Sequence, residues 1–170
     1  MLQYIADIDH YNTVLGNVRN AEATLWIGTA DIKDLHVKNG SYTVPFLEII
    51  AGLINRWVEV RLIHAKEPGT AFREDFDKYP LLKSMLEQVL CPRVHFNLII
   101  IDNKLAYIGS VNLTGAGMGM KSGNRGNFEV GIFTDEPEIV EAAMEQFDSV
   151  CRGEHCKKCG KREYCGDPVI

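Results

Sequence analysis

Apolar residues recur along this chain at two spacings, one suited to a helix face and one to a strand. Tyr11, Val14, Leu15 and Val18 fall on one helical side, and residues 23–30 (ATLWIGTA) form an apolar, β-prone run that predicts a buried strand. Residues 43–57 carry Phe46, Ile49, Ile50, Leu53 and Ile54 at helical spacing, with Pro45 acceptable in a first turn, and residues 58–64 (VEVRLIH) then predict a strand. After a charged loop, a second helix is expected from Pro80 to Leu90. Residues 94–102 and 104–110 predict two strands joined as a hairpin at Asp102-Asn103-Lys104, and residues 128–134 a further strand. Residues 137–150 form an amphipathic helix whose acidic start suits the positive end of its dipole. The expected architecture is α/β, a mixed β-sheet sandwiched by helices over residues 1–150, followed by a short cysteine-rich extension over 151–170.

Composition narrows the class. The 170 residues are enough for one domain, which at this size buries roughly 70% of its extended-chain surface. With 46% hydrophobic and 24% charged residues the chain is neither disordered nor fibrous. No apolar run reaches the ~20 residues that cross a bilayer, so no membrane association is expected. Met1 is followed by a mixed polar segment without a signal-peptide pattern, which predicts a cytoplasmic protein. A net charge of -5 argues against a general nucleic-acid coat, while leaving room for a local basic groove.

The chemistry-bearing segment runs from His95 to Glu129. In a strand His95 and Asn97 share a face, and Asp102 has the opposite parity, placed to brace the turn from behind. Ser110 and Asn112 arrive from the end of the next strand. An imidazole, an amide and a hydroxyl thus converge as groups able to attack and grip a phosphate. A histidine nucleophile needs a carboxylate to hold its ring, and Glu129 is the best-placed candidate.

His95-x-Asn97-x4-Asp102-x6-Gly109-Ser110-x-Asn112, followed by Glu129, resembles the phospholipase D superfamily motif, His-x-Lys-x4-Asp-x6-Gly-Ser-x-Asn with a downstream glutamate. The resemblance implies a phospholipase D-like fold over residues 1–150 and phosphodiester chemistry through a phosphohistidine, with no metal needed for that step. It casts His95 as nucleophile or acid, Ser110 and Asn112 as phosphate-positioning residues, Glu129 as the carboxylate that orients the histidine, and Asp102 as structural. That family joins two motifs in one site. Here His36-Val-Lys38 and His64-Ala-Lys66 lack the rest of the pattern, so the implied active unit is a homodimer joining two His95 side chains. The compact single-motif chain is similar to the small dimeric nucleases of the family, making DNA or RNA the expected substrate.

Asn97 departs from the pattern, for a lysine there would supply a fixed charge worth ~10²- to 10³-fold in rate. Three readings stay open: a weakened or inactive relative that only binds nucleic acid or phosphate, an engineered knock-out, or a site charged by Lys66, Lys121 or Arg125. The glycine-rich stretch 110–126, with Gly115, Gly117 and Gly119, comes too late for a dinucleotide fingerprint and reads as a lip of the active site.

Of five cysteines, Cys151, Cys156, Cys159 and Cys165 crowd the carboxyl end. Four thiolates with Gly153 and Gly160 between them suit one structural metal centre, either tetrahedral zinc or a 4Fe–4S cluster. The Cys-x2-Cys-x5-Cys part, with an earlier cysteine, resembles the iron–sulfur clamp of RecB-type nuclease domains, which tips the choice toward the cluster. His155 is expected to be a bystander and Cys91 a buried structural thiol.

Overall fold

The five residues Asn97–Ile101 are buried at every position. Such a strand needs cover on both faces, and the fold supplies it. The computed structural model, which describes residues 1–115, 117–118 and 125–166, contains nine strands: β1 (Leu2–Ala6), β2 (Thr24–Thr29), β3 (His36–Asn39), β4 (Tyr42–Pro45), β5 (Glu59–His64), β6 (Glu87–Leu90), β7 (Asn97–Ile101), β8 (Leu105–Gly109) and β9 (Val130–Thr134). Seven of them form one sheet in the order β1-β9-β8-β7-β2-β5-β6, and β3 and β4 make a separate hairpin. Pairing is parallel among β2, β5 and β6 and antiparallel elsewhere in the large sheet. The expected mixed sheet is present.

The helices are α1 (π-helical His10–Leu15 continued by Gly16–Val18), α2 (Phe46–Asn55), α3 (Thr70–Asp77), α4 (Pro80–Met85) and α5 (Pro137–Cys151). Alternation along β7 divides the core. Ile99 and Ile101 join Val14, Leu53, Phe72 and Leu82 beneath α1–α4, whereas Ile100 joins Val140, Ala143 and Phe147 of α5 on the other face. The buried residues Val140, Ala143, Phe147 and Cys151 recur at helical spacing along α5. Full burial of Phe147 alone is worth about 2–3 kcal/mol.

Four expectations change. The helix predicted over 80–90 stops at Met85, because residues 87–90 complete the edge of the sheet beside β5. Pairing of His64 with Leu90 overrides a local pattern that suits a helix equally well. The polar opening segment is an edge strand, β1, held antiparallel to β9. Residues 36–45 form a hairpin that turns at Gly40, so α2 begins at Phe46, later than expected. Strand β7 begins at Asn97, leaving His95 on the lead-in to it.

The hairpin from β7 to β8 turns through Asp102 and Asn103, both at positive φ (54° and 55°), a conformation that aspartate and asparagine accept better than most side chains.

Candidate active site

Strand order brings the carboxyl ends of β2 and β8 beside the amino ends of β7 and β9. Residues that are distant in sequence therefore meet at one edge of the sheet. Asn97, buried at 7% exposure, is the junction. Its Oδ1 accepts from Thr29 Oγ1 and from the Ala30 N–H, both at 3.2 Å, and its Nδ2 donates to the Ser110 carbonyl at 2.9 Å. Where the motif places a lysine, this chain has a carboxamide tied to β2 and β8.

Asn112 repeats the arrangement, its Oδ1 accepting from the Asp31 N–H at 2.9 Å. Thr29 Oγ1 lies 2.8 Å from the Asp31 carbonyl and accepts from the Leu113 N–H at 3.2 Å. Thr29 thus ties both asparagines together. Within the apolar, β-prone run of β2 its sequence position carries no sign of this role.

Ser110 is exposed, and its hydroxyl donates to the Glu129 carboxylate and accepts from the Val130 N–H at 3.1 Å. Glu129 is buried just ahead of β9, where it also accepts from Asn127 Nδ2 at 3.0 Å. Its carboxylate is engaged with Ser110 and Asn127, while His95 stands exposed on the lead-in to β7. The backbone around Glu129 is clasped to Asp7 by the Asp7 N–H at 3.2 Å and by Asp7 Oδ1 at 3.2 Å. Behind this clasp, His10 is fully buried edge-on to Tyr107, with Nδ1 2.9 Å from the Asp7 carbonyl. Burial pushes the Tyr107 phenol up to about 12, against the Val111 N–H it accepts and with Glu129 adding to the rise, so it stays protonated. Asp7, His10 and Tyr107 carry no local signature; only the pairing of β1 with β9 brings Asp7 to Glu129.

Asp102 lies at the far end of β7. Its carboxylate accepts N–H groups from Glu22, Ala23 and Thr24, at 2.7 Å from Ala23. Partial burial raises its pKa, but these bonds and nearby Lys104 outweigh that and hold it below its ordinary 3.8. Asp102 locks the hairpin turn to the start of β2.

The two other His-x-Lys pairs separate clearly. His36 is exposed on β3, 3.9 Å from Asp75. His64 is buried, with Nδ1 2.8 Å from the Lys66 carbonyl and Nε2 2.7 Å from Gln88. Lys66 itself reaches the site rim, its Nζ 3.7 Å from the carboxylate of Asp31, the residue whose N–H holds Asn112. Lys33 approaches the same carboxylate at 3.8 Å. Arg125 is exposed; Lys121 and Gly119 of the expected lip lie outside the described residues.

Cys151 is buried at the end of α5 and donates to Glu87 Oε1 at 3.3 Å, within a network in which Arg61 bridges Glu87 and Asp148. Burial and that carboxylate push the thiol up to about 11, against the pull of Arg61. Cys156 and Cys159 lie farther along, on and just after a short 3-10 turn, and Cys165 follows another. Among the described residues, no three His, Cys, Asp or Glu side chains are already gathered as a metal ion would hold them.

The sheet order and this motif together define a phospholipase D-like domain. A family model described as the PLD-like domain of cardiolipin synthase matches residues 14–151, and the chain belongs to that family. Among solved structures, NucT from Helicobacter pylori is similar with a TM-score of 0.64 at 16% identity, over 88% of this chain and 95% of that one. Nuc from Salmonella typhimurium, a phospholipase D family member, gives 0.64 at 16%, over 88% and 92%. The archaeal chromatin protein TrmBL2 gives 0.58 at 14%, over 88% and 51%. Among curated proteins no relative matches. No helix among the described residues is long and apolar enough to cross a membrane.

Proposed function

We propose that this chain is a nuclease-like phosphodiesterase that acts through a phosphohistidine in a site shared by two copies. The observation that carries this reading is the network of Asn97, Ser110, Asn112 and Glu129 at one sheet edge, with exposed His95 two residues ahead of Asn97 in the chain. In the proposed reaction the His95 imidazole forms a bond to phosphorus as the bond to the leaving oxygen breaks. The His95 of a second copy delivers a proton to that oxygen. The same second histidine then takes a proton from water, whose oxygen attacks phosphorus and releases His95. Charge that lysine would bring at position 97 comes from Lys66, with Lys33 beside it, at the rim next to Asn112.

An uncovered apolar row supports the second copy. Tyr4, Ile132 and Ile108 stand in register across β1, β9 and β8, with exposures of 70%, 42% and 36%. They share the face of Ala106, which α5 covers, but lie beyond that helix. The row continues through Val130 and Phe128, the neighbours of Glu129, so a copy docked there would sit beside the half-site.

A second reading, a binding module without catalysis, is favoured by one observation: the Asn97 amide is committed to Ser110, Ala30 and Thr29. The test is hydrolysis of single- and double-stranded DNA, RNA and a small chromogenic phosphodiester by the parent, His95→Ala and Lys66→Ala. Catalysis predicts a loss of about 10³-fold or more for His95→Ala and roughly 10-fold or more for Lys66→Ala. A folded, dimeric parent that binds nucleic acid and turns over none of these substrates would establish the binding module instead.

A further inference from the structure

The cysteine that the sequence sets apart from the others is the one the fold brings to them. Helix α5 ends at Cys151 with Arg152 as its cap, and Gly153 takes φ of 70°, a left-handed conformation that glycine adopts without strain. With the Glu154 N–H returning to the Ser149 carbonyl, this residue turns the chain back across the end of the helix. The returning segment meets the loop between β6 and β7. Between them lies a cleft of about 200 Å³, lined by Cys91, Arg93 and Phe96 from that loop, by Val150 of α5, and by Cys156 and Cys159. Cys165 lies outside that lining but next to it, its Sγ 3.7 Å from the carbonyl of Leu90, the residue bonded to Cys91. Cys151 is not among the lining residues; its thiol is engaged with Glu87.

We infer that Cys91, Cys156, Cys159 and Cys165 hold one thiolate-ligated metal centre in this cleft, and that Cys91 takes the place that spacing alone gives to Cys151. Four sulfurs around zinc stand about 3.8 Å apart, as a Zn–S bond of about 2.3 Å requires. An iron–sulfur cube holds its four thiolates farther apart around its corners, and that fits thiols arranged about an open cleft. Binding releases the thiol protons to solvent and forms four metal–sulfur bonds. The centre fastens the carboxyl-terminal turns to the residues that lead directly into His95. Phe96 faces the cleft from the opposite side of that lead-in, packed against the α5 cluster.

The experiment compares full-length parent, Cys91→Ser and Cys151→Ser, purified without oxygen and reconstituted separately with iron plus sulfide and with zinc. Metal content, absorbance near ~400 nm and thermal melting are measured for each; absorbance separates the cluster from zinc. The expected result is one centre per chain in the parent and in Cys151→Ser, and none in Cys91→Ser. Stripping the metal should lower the melting temperature of the first two and leave Cys91→Ser unchanged. Circular dichroism verifies that both variants fold. The assignment is overturned if the reconstituted parent binds neither metal, if folded Cys91→Ser retains the centre, or if folded Cys151→Ser loses it.

Discussion

The Asn97 amide donates to the Ser110 carbonyl oxygen at 2.9 Å, while its own oxygen accepts from the Ala30 N–H. One buried side chain therefore joins the ends of β2, β7 and β8 at the place where the site's hydroxyl emerges. Asn97→Ala leaves a buried donor and acceptor unpaired, and should cost about 1–3 kcal/mol in urea unfolding. Asn97→Lys should destabilise by a similar amount, because an ammonium can satisfy Ser110 but cannot accept from Ala30. An unchanged unfolding midpoint in Asn97→Ala would remove the structural role assigned to this amide.

Asp102 gives a pH-dependent outcome. Its folded pKa lies below 3.8, so its stabilising effect is complete above that value and fades as pH falls through the folded pKa. Asp102→Asn should therefore be less stable than the parent by about 1–2 kcal/mol near neutrality. The two proteins should converge as pH falls below the ordinary carboxylate range and through the lowered folded pKa. Denaturation midpoints taken across that range check the sign, and a gap that widens toward acid would contradict it.

The apolar row across β1, β9 and β8 makes an outcome in solution. Ile132→Asp introduces a charge at an exposed position, so the isolated fold should tolerate it with a change within about 0.5 kcal/mol. Native mass spectrometry should then find monomer for the variant and, on the proposed shared site, dimer for the parent. Hydrolysis should fall with the dimer fraction. A variant that stays dimeric would move the interface elsewhere.

Gly28 lies directly under the Phe96 ring, and a methyl group there would meet Cε2 and Cδ2 of that ring. Gly28→Ala should lower stability by about 1–3 kcal/mol through overpacking. Because Phe96 follows His95, the same change should reduce hydrolysis more than a surface substitution of equal thermal cost. Equal losses of activity in the two variants would leave Gly28 with a packing role alone.

Much of the architecture was legible because local contacts dictate it. The stripe Val140, Ala143 and Phe147 needs only helical periodicity, and the apolar run of β7 needs only cover on two faces. Residues 87–90 were illegible for the converse reason: their local pattern suits helix and strand alike, and partnership with β5, far upstream, decides. Within the site, the spacing from His95 to Asn112 carries its signal along the chain. Thr29, Asp7 and Tyr107 carry none, since each acts across a strand pairing.

The sequence by itself determined the family motif, the layered α/β plan and the presence of a thiol-rich end, because each depends on residues spaced by a few positions. Only the tertiary structure decided what Asn97 grips, that Lys66 reaches the rim beside Asn112, and that Cys91 faces Cys156 and Cys159 while Cys151 turns to Glu87. Most of those relationships join residues tens of positions apart. Sheet order and the turn at Gly153 bring them together, and no spacing along the chain encodes that approach.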